Sequence, residues 1–385
     1  MTARSRAALV LSGTLLLHTA FILPAMKAFP TAVSESTLLL LVVATLVFFA
    51  ASHLAEASQA LASGTIAVLF FLLSPAVTRQ SLAFYFSSLP VNTLGALVFV
   101  VSWLFMRNWS TFMRSLILAL VYGLGLWFNA DALIWVPVAM IPWVLFNRRP
   151  LPAAGTLLTI LIGGSLFFGV SWMIVCLFTG QPGAIWQPLF NLRTMLAANS
   201  LARGSIDTTH LPSFLLLVSL PWTLLSAWTA WEHFKEVLVQ RRAGLSSFVA
   251  LLVGIVMVVC LFSGPRPAVT NSDILMTLVA LSAPLVACDL ARREYLFSRS
   301  SRTATALGFG LTGATLALIG WMAPEWLTTR LLGQGIVLAA MLVAMAVSRA
   351  IQANRPLDIR GHWRAVLAGS SLGCFLVING FLWMR

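Results

Sequence analysis

Two arginines ten residues apart, Arg193 and Arg203, lie in the longest polar stretch of the chain, residues 180–211, and His210 follows them. A guanidinium group can bind two phosphate oxygens through parallel hydrogen bonds, so a pair of arginines above an apolar surface suits a phosphate group. Residues 189–202 have the pattern of an amphipathic helix that lies on a membrane surface. We therefore predict that Arg193, Arg203 and His210 bind a lipid phosphate. The alternative is a solvated loop without specific contacts.

Carboxylates that could act as a base are few, and two of them, Glu35 and Asp131, precede apolar runs. Transfer of a group to a hydroxyl or an amine needs a base, and a carboxylate can take the proton. Acidic side chains in these positions can also cap a helix, because they accept hydrogen bonds from free backbone amides. Glu35 and Asp131 are therefore candidates for a catalytic base, with Asp207, Asp273 and Glu325 as the other carboxylates on the predicted outward side, and helix capping is the alternative for each.

The elements that must position these residues are apolar helices. Hydrophobic residues make up 59% of the 385 residues and charged residues only 9%, whereas a soluble domain carries roughly 25% charged residues. Most of the apolar segments approach the ~20 residues that a helix needs to cross a bilayer. They lie at residues 8–26, 37–55, 60–77, 88–106, 115–128, 130–147, 154–178, 212–231, 246–263, 274–290, 303–323, 331–348 and 366–383. We predict an all-α polytopic membrane protein with about 13 transmembrane helices, one transmembrane domain over residues 1–385, and no large soluble domain.

The basic residues set the predicted orientation. With the N-terminus in the cytoplasm, 17 of the 24 lysines and arginines fall in cytoplasmic segments. Cytoplasmic loops of membrane proteins carry such an excess. Thirteen spans then place the C-terminus outside, and they place residues 180–211 in an outward loop between the seventh and eighth helices. Glu35 falls in the first outward loop, residues 28–36, and Asp131 falls at the tip of a tight hairpin between the fifth and sixth helices.

The composition also argues against several classes of protein. The net charge of +13 resides in loops between apolar segments. Because there is no soluble basic domain, we expect an affinity for anionic lipid headgroups and no nucleic-acid partner. The four cysteines stand in apolar segments and form no C-x-x-C pair, so we predict no metal site, no disulfide framework and no cofactor. No carboxylate stands in the middle of an apolar segment, which disfavours an ion-coupled transporter.

Four stretches of the chain, in this order, resemble the GT-C membrane glycosyltransferases, and within them the protein O-mannosyltransferases and the aminoarabinose transferases of lipid A. They are residues 84–107, 123–150, 199–203 with 220–222, and 262–266. The predicted spans and the long loop after the seventh helix agree with that family. The resemblance implies a GT-C-like bundle in the inner (plasma) membrane. It also implies a polyprenyl-phosphate sugar as the lipid partner on the periplasmic face.

The chain departs from the family at the catalytic positions. Family enzymes carry an acidic residue near the start of a long first outward loop. Here that loop is short, Lys27 stands near the place of the acid, and only Glu35 remains. Residues 91–92 replace an aspartate of the family, and Ala130, beside Asp131, replaces its hairpin lysine. The arginines that correspond to the phosphate side are kept.

Three interpretations follow from this pattern. The first is a GT-C-type glycosyltransferase that uses a polyprenyl-phosphate sugar in cell-envelope glycan or lipid modification. The second is a non-catalytic GT-C-like subunit that needs a membrane protein partner. The third is a lipid-linked glycan polymerase or ligase, which would use Arg203 and His210, or a transporter.

Overall fold

The computed structural model describes residues 30–72, 74, 77, 90–128, 131–147, 150–180, 223–240, 244–262 and 268–292. These residues form the α-helices α1 (Pro30–Leu54), α2 (Ala60–Leu72), α3 (Val91–Phe105), α4 (Thr111–Trp127), α5 (Trp135–Leu145), α6 (Pro150–Phe178), α7 (Thr223–Gln240), α8 (Leu245–Phe262) and α9 (Ala268–Arg292). None of the described residues is in a strand, which confirms the all-α prediction for this part of the chain. The predicted segments at 8–26 and from 303 onward lie outside the described residues, so the total of thirteen stays a prediction.

Among the described residues, two helical stretches are long and apolar enough to cross a membrane, Val91–Asn108 and Pro150–Phe178. In the second stretch, which is α6, only 17% of the most apolar 18-residue segment is buried inside the protein. Its exposed side chains include Leu151, Ile162 and Leu166. A water-soluble monomer rarely leaves so long an apolar surface uncovered. The surface of α6 therefore fits a membrane protein, as the composition predicts.

Several threonine hydroxyls inside the apolar helices bond to their own helix. The hydroxyls of Thr45, Thr65 and Thr159 donate to the carbonyl oxygen four residues earlier, at distances of 2.7, 2.8 and 2.8 Å. This local bond satisfies a polar side chain without a partner from another element. It explains why threonines do not interrupt the apolar segments.

Helix α9 lies at the centre of the described bundle, because it packs against α1, α2, α3, α7 and α8. Its residues from Met276 to Cys288 are almost continuously buried. The hydroxyl oxygens of Thr277 on α9 and Thr93 on α3 are 3.0 Å apart and fully buried. A buried hydroxyl pair of this kind favours a single register between two apolar helices, since a shift would break the bond.

An aromatic cluster joins α3, α5 and α8 at one end of the bundle. The ring of Trp103 lies 5.0 Å from that of Trp143 and 4.7 Å from that of Phe248, measured between centroids. The indole N–H of Trp143 donates to the carbonyl oxygen of Gly244, at 3.2 Å, just before α8 begins. This end contains the C-termini of α3 and α5 and the N-terminus of α8.

The closest helix contact is between α4 and α6, and glycines make it possible. A Cβ atom added to Gly123 would lie 2.6 Å from the carbonyl oxygen of Gly164. One added to Gly164 would lie 2.6 Å from the ring of Tyr122 and 2.9 Å from the carbonyl oxygen of Ala119. Small residues at such crossings let helix backbones approach closely, which is how many membrane helices associate.

Replacing Gly164 with leucine is therefore expected to lower the free energy of unfolding by at least about 1–3 kcal/mol, the cost of overpacking a tight interface. The matched control is Gly169→Leu on the same helix, because a Cβ atom there meets nothing within 4 Å. That change is expected to be neutral or slightly stabilising, since leucine favours helix over glycine. Thermal unfolding of the purified protein in detergent measures both. Equal stability of the two variants would contradict the close contact between α4 and α6.

Candidate functional site

The structure corrects the predicted surroundings of Glu35. The sequence places Glu35 in a loop over residues 28–36, but α1 begins at Pro30, so Glu35 belongs to the second turn of a helix. Proline is well suited to the first helical position, because its fixed φ matches the helix. The N–H that proline lacks would have no acceptor within the helix at that position. No proline or glycine follows before the apolar run, so the helix continues through these polar residues without interruption.

Asp131 lies where the sequence predicts it, between the two helices of a hairpin. It begins a 3-10 segment, Asp131–Ile134, that joins α4 to α5. Leu133 in this segment is fully buried, and the segment packs against α3. The hairpin tip is thus held against the bundle by a buried apolar side chain.

The level of Glu35 along the bundle follows from helix geometry. Helix α1 packs along α3, and the rings of His53 and Phe105, each near a C-terminus, are 5.7 Å apart. The two helices therefore run in the same direction. At 1.5 Å per residue, the backbone of Glu35 is about 27 Å from that of His53, and Val91 is about 21 Å from Phe105. Glu35 thus lies about 6 Å beyond the start of α3.

The backbone of Asp131 lies at nearly the same level along α3 as that of Glu35, as its distance from Trp143 on α5 shows. Trp143 near the end of α5 contacts Trp103 near the end of α3. The backbone of Asp131 is about 20 Å from Trp143, and Val91 is about 18 Å from Trp103. The positions of Glu35 and Asp131 therefore share one end of α3, the end opposite the aromatic cluster.

The long polar stretch begins as the sequence predicts. Helix α6 ends at Phe178, and Gly180 follows with φ of +66°, a conformation that favours glycine and ends many helices. The predicted phosphate residues Arg193, Arg203 and His210 lie outside the described residues. Their role stays a prediction from the sequence.

A partly buried charge cluster that the sequence does not reveal connects α7 and α9. Nδ1 of His233 lies 3.4 Å from Oε2 of Glu236, and Nε2 lies 3.6 Å from Oδ1 of Asp289. The side chain of His233 is 8% exposed and that of Asp289 is 14% exposed. The only signal in the sequence is the spacing of His233 and Glu236, which places both on one helix face. Asp289 is 56 residues away from His233, and only the packing of α7 on α9 brings them together.

Burial lowers the pKa of His233, but the contact with Asp289 and the negative charges of Asp289 and Glu236 outweigh burial. The pKa of the folded protein therefore lies above the ordinary value of 6.5. A histidine whose pKa is raised by folding stabilises the folded state fully below its unfolded pKa, and this contribution is lost as the pH rises through the folded pKa.

Replacing His233 with glutamine is expected to cost about 1–2 kcal/mol of stability at a pH below 6.5, because a hydrogen bond between charged groups is lost. The cost should shrink as the pH rises past the folded pKa, where the wild-type side chain is also neutral. Thermal unfolding of both proteins over that range measures the difference. Lys235→Gln, an exposed residue on the same helix, is the control and should show no such trend. A cost independent of pH would contradict the charged bridge.

Comparison with known proteins finds no matching family model, characterised protein or solved structure.

Proposed function

We propose that this chain is a GT-C-type membrane glycosyltransferase, or a GT-C-like protein, that binds a polyprenyl-phosphate-linked sugar on the periplasmic face of the inner membrane. The observation that carries the proposal is the order of the stretches that resemble the family, with the loop of Arg193 and Arg203 after the seventh predicted span. The positions of Glu35 and Asp131 at one end of α3 support it, because a base and a donor site must share one face of the membrane.

In the proposed reaction, Arg193 and Arg203 hold the phosphate of the donor with charge-assisted hydrogen bonds. A hydroxyl or amine of the acceptor attacks the anomeric carbon of the sugar, and the bond from that carbon to the phosphate oxygen breaks. Glu35 or Asp131 takes the acceptor proton. The electron pair of the broken bond stays with the phosphate, so polyprenyl phosphate leaves, and the arginines stabilise its added charge.

A second candidate is a non-catalytic subunit that binds the lipid-linked sugar and acts with a membrane protein partner. The short first outward loop and Lys27 near the family's acidic position favour it. A scaffold that keeps the phosphate arginines without the acid would bind a donor and transfer nothing. A third candidate is a lipid-linked glycan polymerase or ligase, which would rely on the long outward loop with Arg203 and His210, or a transporter.

The proposal requires a defined topology: a multi-pass inner-membrane protein with a cytoplasmic N-terminus and a periplasmic C-terminus. Reporter fusions after Arg107, Arg149, Arg242, Arg302 and Arg360 are expected to report a cytoplasmic location, because these residues belong to the basic loops. A fusion within residues 180–211 should report the periplasm. Two or more of the five fusions on the periplasmic side would contradict the orientation and remove the loop arginines from the proposed donor face.

The test of the function is sugar transfer by the purified full-length protein. It is supplied with radiolabelled polyprenyl-phosphate sugars and with lipid or peptide acceptors from the cell envelope. Appearance of label in an acceptor supports the transferase. Binding of the donor without transfer to any acceptor supports the non-catalytic subunit instead. Absence of both contradicts the proposal.

A further inference from the structure

Three N–H donors at one end of the bundle have no hydrogen-bond acceptor among the described residues. They are the indole Nε1 of Trp103 on α3 and the guanidinium Nε and Nη2 of Arg114 on α4, and all three atoms are buried. The guanidinium carbon of Arg114 lies 3.9 Å from the centre of the Trp103 ring system, so the donors belong to one stack. Trp103 itself is fully buried.

A buried donor without an acceptor is unfavourable, because it loses its hydrogen bonds to water and gains none. The Trp103–Arg114 stack offers only unpaired donors and a positive charge, so its missing partner is an acceptor with negative charge. No carboxylate of the described residues lies within ion-pair distance of Arg114. Nε and Nη2 form the side edge of the guanidinium, which matches two oxygens of a phosphate or carboxylate group. The stack is therefore suited to an oxyanion.

The surroundings of Arg114 indicate which oxyanion. Phe105, Trp109 and Phe112 are 59%, 46% and 72% exposed and surround the turn from α3 to α4. Arg107 in the same turn is also exposed. Aromatic and basic side chains exposed together at the end of an apolar helix are typical of the boundary between lipid tails and headgroups. The oxyanions concentrated at that boundary are lipid phosphates.

We propose that Arg114 and Trp103 form a binding site for the phosphate of an anionic lipid headgroup, at the end of the bundle predicted to face the cytoplasm. The site goes beyond the proposed sugar-donor site, because it lies at the opposite end of α3 from Glu35 and Asp131. Because Nε and Nη2 are buried in the structure, the proposal requires the flexible side chain of Arg114 to turn this edge toward the headgroup layer when the lipid binds.

The test titrates phosphatidylglycerol into the purified full-length protein in neutral detergent, and native mass spectrometry measures the fraction of protein that retains one lipid. Arg114→Gln is expected to weaken retention by about 10- to 100-fold, as the loss of a charge-assisted bidentate contact predicts. Trp103→Phe keeps an aromatic ring but removes one donor, and it should weaken retention a few-fold, about 2- to 10-fold. Arg107→Gln is the matched control, an exposed arginine in the same turn, and should change retention by less than about fivefold.

Each outcome of the titration decides the proposal. Unchanged retention in Arg114→Gln, or equal losses in Arg114→Gln and Arg107→Gln, would overturn it in favour of a diffuse basic surface. Competition with inorganic phosphate distinguishes a lipid headgroup from free phosphate as the ligand. If inorganic phosphate displaces the lipid from the wild type at similar concentration, the site binds free phosphate and the lipid assignment is wrong. If size-exclusion chromatography shows that Arg114→Gln does not fold, Trp103→Phe and Arg114→Lys are measured in its place. Arg114→Lys keeps the charge without the bidentate edge, and retention equal to wild type in both would overturn the proposal.

Discussion

Either Glu35→Gln or Asp131→Asn is expected to lower the rate of sugar transfer by roughly 10²–10⁴-fold, the usual contribution of a general base, and the other should have a mild effect. Both substitutions keep the shape of the side chain and remove its ability to take a proton. Glu35 is favoured because it is the one carboxylate in the segment that corresponds to the family's first outward loop, residues 28–36, which carries the acid in the family. Asp131 is favoured by its place in a hairpin tip that packs against α3.

The control for this pair is Glu56→Gln. Glu56 is an exposed carboxylate in the turn after α1, at the opposite end of that helix from Glu35, and its loss should leave transfer unchanged. Initial rates at saturating donor and acceptor measure the effect on the chemical step. Full activity in both Glu35→Gln and Asp131→Asn would show that the base is a different residue.

Replacing Arg193 or Arg203 with alanine is expected to weaken binding of a polyprenyl-phosphate sugar by about 10- to 100-fold. A charge-assisted bidentate contact is worth roughly 1.5–3 kcal/mol, which corresponds to that change in the dissociation constant. The control is Arg330→Ala, an arginine that the predicted topology also places on the outward side but outside residues 180–211. Unchanged binding in both loop variants would leave only the interpretation of a solvated loop.

The apolar pattern predicted the helices themselves better than their ends. Segment 88–106 corresponds to α3 and segment 246–263 to α8, since the whole helix is apolar in each case. Helix α9 begins at Ala268, six residues before segment 274–290, and α7 continues to Gln240, beyond segment 212–231. Hydropathy detects the part of a helix that suits lipid. Backbone hydrogen bonds continue past that part wherever the polar residues that follow tolerate the helix.

The same limit explains the position of Glu35. Residues 30–36 are polar enough to resemble a loop, yet they contain no helix-breaking residue after Pro30, so they extend α1. The two clusters that the sequence did not reveal each depend on a contact between two different helices. Asp289 meets His233, and Arg114 meets Trp103, only after the helices have packed. Sequence spacing along one helix cannot reveal such pairs.

The most direct test of the central claim is equilibrium binding of a polyprenyl-phosphate-linked sugar to the purified wild-type protein, because both the transferase and the non-catalytic subunit require it. We expect saturable binding that unlabelled polyprenyl phosphate displaces, since the proposed site recognises the phosphate through Arg193 and Arg203. We also expect an uncharged polyprenol of the same length to displace the donor poorly. Absence of saturable binding, or equal displacement by the uncharged polyprenol, would contradict the proposed function.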